Sequence, residues 1–179
     1  MQTTISNTFF IEEPIDKVWA SLSDPMEVVT CVPGASITEK IDDTHYKGAV
    51  TLKFGPVKAE YAGEIEILES DPSAHRLVLK GVGLDAKGKG QAEMTMNGHL
   101  TEKDGGTEVS FTMDVSIVGM LAQFGSRLIN DVSDHLLKQF VSNFKAKLSG
   151  GEVDNTASAG SIARSVLKEK VGGLFRKEG

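Results

Sequence analysis

The sequence holds one cysteine, Cys31, which excludes an internal disulfide framework. No stretch approaches 18 consecutive apolar residues, so no transmembrane helix is expected. Met1 to Phe10 alternates polar and apolar side chains instead of placing a basic start before an apolar block, which reads against a secretory signal. These features favour the cytoplasm. Basic residues are outnumbered, 19 to 25, and the net charge of -6 argues against broad nucleic-acid binding. The four histidines, His45, His75, His99 and His135, show no HxxxH or HExxH metal spacing. Lys87-Gly88-Lys89-Gly90 lacks the frame of a phosphate loop and reads as a hairpin tip. Gly81-Val82-Gly83 lacks the third glycine and the following helix of a dinucleotide fingerprint.

What is present is alternation. With 179 residues, 40% of them apolar, the chain can bury a core without staples. Thr3 to Ile11 sets Ile5, Phe9 and Ile11 against Thr4, Ser6 and Thr8, the pattern of a half-buried strand. Pro14 then opens a short helix whose Ile15, Val18, Trp19 and Leu22 share a face. Asp24-Pro25 stops it and starts a second short helix through Val29, and Pro33-Gly34 turns the chain. Ala35 to Val118 reads as about six strands joined by hairpin-type turns. Clean alternation predicts an antiparallel sheet with one wet and one covered face. Glycines 48, 63, 81, 83 and 98 fall on the covered side, where they permit bends and bulges that curl a sheet. Met120 to Leu148 is expected as one long helix. Its stripe of Phe124, Leu128, Val132, Leu136, Phe140, Phe144 and Leu148 is widened by Leu121, Ile129, Leu137 and Val141. The order predicts an α+β layout of about seven strands, a curved antiparallel sheet gripping one helix, over residues 1–148.

The side chains expected to face that helix carry almost no charge. They are Phe9, Tyr46, Val50, Leu52, Tyr61, Ile65, Leu79, Met94, Met96, Phe111, Met113 and Val115, met from the helix side by Leu121, Phe124, Leu128 and Val132. Acid–base catalysis needs a titratable group in the pocket, and the strands offer none. An apolar cleft with few polar groups is the usual form of a hydrophobic ligand site. A filled core fits the same pattern, although the adaptable methionines favour a binding surface. Tyr46 and Tyr61 could each donate to a ligand carbonyl or bond to backbone. His135, four residues after Asp131, is either an oriented imidazole or an ordinary helix-surface pair. Cys31 has no evident base nearby and reads as a buried structural thiol.

Residues 149–160 read as a flexible linker. The tail, 161–179, carries a charge of +3 on a chain whose first 160 residues carry -9. Ile162, Val166, Leu167, Val171, Leu174 and Phe175 form its apolar arc, with Arg164, Lys168, Arg176 and Lys177 beside it. Weak docking on an anionic membrane face, docking on a partner protein and a disordered terminus are the three readings of this tail.

Several segments together resemble the CoxG family, the G subunit of carbon monoxide dehydrogenase, within the START-like, SRPBCC helix-grip superfamily. They are Trp19 to Pro25, Cys31-Val32-Pro33-Gly34, Gly55-Pro56-Val57 and, most distinctively, Gly119 to Ile129. The resemblance spans roughly residues 2 to 148. It implies a non-catalytic accessory protein with no catalytic residue to carry over. It also implies a molybdenum hydroxylase of the carbon monoxide dehydrogenase type as partner, attachment at the inner face of the cell membrane, and a quinone or similar lipid as cargo. The alternatives are an assembly factor without a ligand, or a START-like cyclase or hydrolase.

Overall fold

The computed structural model describes residues 1–151. The proposed linker lies outside the described residues beyond Gly151, as does the whole tail from Ile162 to Lys177. Strand β1 (Gln2–Ile11) is followed by helices α1 (Ile15–Leu22) and α2 (Pro25–Val28) and a 3-10 turn, Val29–Cys31. Six strands come next: β2 (Ala35–Lys40), β3 (His45–Phe54), β4 (Val57–Asp71), β5 (Arg76–Asp85), β6 (Gly90–Lys103) and β7 (Gly106–Gly119). A second 3-10 turn, Met120–Phe124, leads into α3 (Gly125–Leu148).

The strands form one antiparallel sheet in the order β1-β7-β6-β5-β4-β3-β2. Strands β2 to β7 make a continuous meander, and β1 joins the outer edge of β7. The meander gives the sheet two ends. The β3–β4 and β5–β6 turns and the 3-10 turn before α3 lie at the upper end. The β2–β3, β4–β5 and β6–β7 turns lie at the lower end. Asp104 and Gly105 both have positive φ, 49° and 78°, in the tight β6–β7 hairpin.

Local chemistry accounts for the elements before α3. Pro14 caps α1, and the Ser23 hydroxyl closes it by donating to the Trp19 carbonyl at 2.6 Å. Asp24 caps α2 by accepting from the Met26 backbone N–H at 3.0 Å, with Pro25 at the first helical position. β2 is a short edge strand with an extra residue at Thr38, where the register slips between Ile37 and Glu39.

Two details differ from the sequence-based expectation. The long helix begins at Gly125, whose φ of +77° breaks the path from the preceding 3-10 turn. Phe124 therefore leaves the helical stripe and is 39% exposed. The bulges fall at Thr38 and Leu68, not at glycines. Glycine instead permits close approach: a Cβ on Gly63 would lie 1.8 Å from the Val82 carbonyl oxygen.

The apolar stripe of α3 runs along Leu128, Ile129, Val132, Leu136, Leu137, Phe140, Val141 and Phe144, and only Phe144 among them is fully buried. Polar ties to the rest of the fold also hold the helix. The Thr3 hydroxyl of β1 donates to Asn130 Oδ1 at 3.1 Å. Asn143 Nδ2 donates to the Cys31 carbonyl at 3.2 Å. Lys147 Nζ donates to the Glu27 carbonyl and the Thr30 hydroxyl, both at 2.8 Å.

Candidate functional site: the cleft between sheet and helix

Most of the buried apolar residues fall into two clusters, and Ile5, Tyr46 and Leu77 are buried outside both. The lower cluster joins Ile11, Ile15, Val18, Cys31, Leu100, Val109 and Phe144, with Phe9, Trp19, Leu22, Phe140, Val141 and Leu148 packed against it. Its rings interlock: Phe9 meets Phe140 edge-on at 6.2 Å, and Phe140 stacks on Phe144 at 5.8 Å. The upper cluster joins Ala59, Tyr61, Ile117 and Leu121, with Val50, Leu52, Ala92, Val115, Ala122 and Ile129 against it. Each cluster clamps one end of α3 to the sheet.

Between the clusters the same face stays apolar but is not sealed. The register aligns Ile65 with Gly81, Met94 with both Gly81 and Val115, and Met96 with both Leu79 and Met113. These residues, with Phe111 and with Leu128 and Val132 of the helix, are half-buried and belong to neither cluster, apart from Gly81, which is buried, and Val115, which leans on the upper one. This partly open apolar stretch beneath an element held at both ends is the candidate site. The missing side chain at Gly81 adds room, and only the flexible end of Met94 comes within 3.3 Å of where a Cβ would stand.

The sixteen residues expected to line a site are thus divided. Phe9 packs into the lower cluster, and Val50, Leu52, Tyr61, Val115 and Leu121 into the upper one. Ile65, Leu79, Met94, Met96, Phe111, Met113, Leu128 and Val132 span the middle. Tyr46 is buried with its hydroxyl donated to the Asp43 carbonyl at 3.3 Å, near the lower end. Phe124 faces outward on the upper tip.

Tyr61 differs from Tyr46. It is 8% exposed, and its hydroxyl has no hydrogen-bond partner among the described residues. Burial, and secondarily the charge of Asp85, pushes its pKa up, so the phenol remains a proton donor. Asp85 lies opposite Tyr61 in register, but its oxygens accept from the backbone N–H groups of Lys87 and Lys89 at 3.4 and 3.2 Å.

His135 and Asp131 are exposed on α3, with no bond between them. His135, Tyr46 and Tyr61 do not converge. His99 is exposed on the convex face, and Cys31 is buried. No group of three or more potential metal ligands occurs among the described residues. Two buried polar residues among those described, Asn143 and Thr107, are not marked by the sequence pattern. Thr107 donates to the Glu13 carbonyl at 2.8 Å, so both fasten loops rather than line the cleft. Nothing in the pattern distinguishes Asn143 from an outward-facing asparagine except its place beside Phe144 in the stripe.

The convex face carries two open depressions of ≈ 570 and ≈ 460 Å³, lined mainly by outward-facing polar side chains. Those hydroxyls satisfy one another across strands, as in Ser6–Thr112 and Thr8–Ser110 at 3.1 Å and Thr4–Asp114 at 2.7 Å. They are a hydrated sheet surface. No helix among the described residues is long and apolar enough to cross a membrane.

Solved structures share this architecture. A conserved protein from Geobacillus kaustophilus superposes with a TM-score of 0.74 at 23% identity, covering 83% of this chain and 96% of that one. A protein from Chromobacterium violaceum gives 0.59 at 17%, covering 81% and 96%. The Zhui aromatase/cyclase from Streptomyces sp. R1128 gives 0.56 at 13%, covering 85% and 100%. These likenesses establish the START-like helix-grip fold. Among curated proteins none matches the sequence. The model of one family, CoxG, the carbon monoxide dehydrogenase G subunit, matches residues 8–149, which include all seven strands in whole or part and all of α3. With its fold and most of its length accounted for by that match, the chain belongs to the CoxG family.

Proposed function

We propose that this protein is a non-catalytic carrier that holds an elongated apolar molecule, a quinone or similar lipid, in the cleft between the sheet and α3. One observation carries the reading: two dry clusters are separated by a half-buried, uncharged apolar stretch on the face that α3 covers. Contiguous apolar surface left partly open marks a binding site more often than a packing fault. Tyr61 supplies a protonated donor beside that stretch, suited to a ligand carbonyl. The absence of convergent titratable groups among the described residues supports a carrier over a cyclase or hydrolase.

The family name supplies the partner: an oxidoreductase of the carbon monoxide dehydrogenase type, whose reducing equivalents a carried quinone would accept. The basic tail, from Ile162 to Lys177, is the contact with the membrane in this reading, which puts the protein at the cytoplasmic leaflet. Transfer from bilayer to cleft exchanges one apolar environment for another. Its net free energy is then small against the roughly 25 cal/mol per Å² that leaving water would gain, as reversible carriage requires.

A ligand-free assembly factor is the second reading, favoured by the packing of Val50, Leu52, Val115 and Leu121 into one cluster without cargo. Native mass spectrometry of the purified protein, with organic extraction and uptake from quinone-loaded detergent micelles, separates the two. A quinone or related lipid near one per chain supports the carrier. A clean apo mass with no uptake leaves the assembly factor.

A further inference from the structure

The upper end is chemically unlike the rest of the molecule. The β3–β4 turn brings Lys53 and Lys58, the β5–β6 turn brings Lys87 and Lys89, and the first turn of α3 brings Arg127, all exposed. Only Glu60 and Asp85 oppose them in these segments. The Ala86 backbone N–H donates to the Glu60 carbonyl at 2.8 Å, so the two turns are bonded side by side. Glu60 pairs with Lys58 at 2.8 Å and feels Lys87 and Lys53 as well, and these cations hold its carboxyl below the usual range. Lys53, Lys87, Lys89 and Arg127 form no ion pair among the described residues. The lower end is the reverse. Its turns and the two short helices carry twelve carboxylates, among them Glu12, Asp16, Asp24, Asp71, Glu102 and Asp104, against Lys17, Lys40, Arg76 and Lys103, each in an ion pair, and Lys145 and Lys147 of α3.

Large apolar side chains stand among the upper cations. Leu84 and Val118 flank Gln91 on one row of the convex face and are 59% and 65% exposed. Met120 and Phe124, 40% and 39% exposed, project from the 3-10 turn that follows. That turn is two-sided: Leu121 and Ala122 are seated in the upper cluster, which fixes the backbone that presents Met120 and Phe124.

We infer that this upper tip docks on an anionic lipid surface, with Leu84, Val118, Met120 and Phe124 entering the interfacial layer and Lys53, Lys87, Lys89 and Arg127 meeting the headgroups. Apolar side chains ringed by cations are what an anionic bilayer recognises. The acidic opposite end is repelled by the same surface, so the molecule's own field turns the tip toward it. A second copy fits less well. Tip-to-tip pairing opposes like charges, and tip-to-base pairing is a head-to-tail contact that leads to rings or filaments rather than to a simple pair. The inference rests on the carrier reading in one respect: the docked tip lies next to the upper cluster and Tyr61, at one end of the cleft.

The test uses the full chain and large vesicles of phosphatidylglycerol and phosphatidylcholine in equal parts, with pure phosphatidylcholine as control. Three proteins are compared by co-sedimentation: wild type, a tip variant (Leu84→Ser, Val118→Ser, Lys87→Glu, Lys89→Glu) and a tail variant (Arg164→Glu, Arg176→Glu, Lys177→Glu). The tip variant is expected to bind anionic vesicles at least about tenfold more weakly than wild type. Independently, Met120→Cys carrying a polarity-sensitive fluorophore, with Cys31 buried and unreactive in the fold, should shift to the blue on anionic vesicles and much less on neutral ones. Wild-type binding by the tip variant, with all loss confined to the tail variant, overturns the inference. So does an unshifted fluorophore, which would leave an acidic protein face or another copy as the occupant. Quinone uptake from detergent micelles is measured alongside. If it is normal in wild type and in the tip variant while vesicle binding does not depend on the tip, the docking surface fails and the carrier stands. If micelle uptake is absent in wild type, the carrier fails whatever the vesicles show.

Discussion

Tyr61 is the residue on which the ligand question turns, because its ring packs into the upper cluster while its hydroxyl reaches the surface without a partner among the described residues. Tyr61→Phe removes one hydroxyl and no packing. If that hydroxyl meets a ligand carbonyl, quinone affinity falls about two- to tenfold, the worth of one neutral hydrogen bond, while the denaturation midpoint of the empty protein changes little. Titrating both proteins with quinone in detergent reads the difference. Glycine offers a sharper contrast at the same scale. An added methyl at Gly63 meets fixed backbone at 1.8 Å, whereas one at Gly81 meets the movable end of Met94 at 3.3 Å. Gly63→Ala is expected to cost more than about 3 kcal/mol by urea denaturation or to prevent folding, and Gly81→Ala to cost under about 1 kcal/mol. Asn143→Ala leaves the Cys31 carbonyl without its side-chain donor inside the lower cluster and should cost about 1–3 kcal/mol in the same assay. The sequence pattern marks both glycines as inward and leaves Asn143 unmarked. It does not say which faces fixed backbone, because that depends on strand register.

The β2–β3 hairpin shows what elements add. His45 Nδ1 lies 3.0 Å from Asp42 Oδ1, and Nε2 lies 3.4 Å from Glu66 Oε1 on β4. The hydrogen bond to Asp42 is the main reason the His45 pKa rises above 6.5; the charges of Asp42, Glu66 and Glu64 add to it, against a smaller desolvation penalty. Asp42 itself is lowered to about 2, chiefly by the Thr44 backbone N–H and then by His45. The signs define a window. The histidine's contribution is full below about pH 6.5 and fades as pH rises through its folded value. The carboxylate's contribution is present above its ordinary 3.8 and fades as pH falls toward 2. A histidine NMR titration should place the His45 midpoint above 6.5 and return it toward 6.5 in Asp42→Asn. Strands and short helices were legible because period-two and i, i+3, i+4 patterns follow directly from backbone geometry. The break before α3 was not. Gly125 sits inside an unbroken apolar rhythm, and only its positive φ separates Phe124 from the stripe.

At the scale of the whole molecule, a ligand that occupies the cleft must stabilise it. Val132, Leu136 and Leu137 in the middle of α3 belong to neither packed cluster, and cargo would supply partners for them. Saturation at a hundred times the dissociation constant should raise unfolding free energy by about 2.7 kcal/mol, read as a shift in the denaturation midpoint. The cleft's lining residues were legible as a face, since alternation assigns inward positions strand by strand. Its division into two packed ends and an open middle was not, because both the packed and the open residues are the same apolar types. The polarity of charge was likewise hidden. Lys53, Lys58, Lys87 and Lys89 lie up to 36 positions apart and become neighbours only through the meander.

The placement of β1 has a consequence for synthesis. Gln2 pairs with Ser116 and Ile11 with Thr107, so the first strand made finds its partner only after about a hundred further residues have been translated. At roughly 5–20 residues per second, β1 waits on the order of 5–20 s at the ribosome. Its apolar Ile5, Phe9 and Ile11 and a full row of backbone donors and acceptors have no sheet to join in that interval. The nascent chain, rather than the finished protein, is therefore where this fold is most exposed to aggregation and most in need of a chaperone.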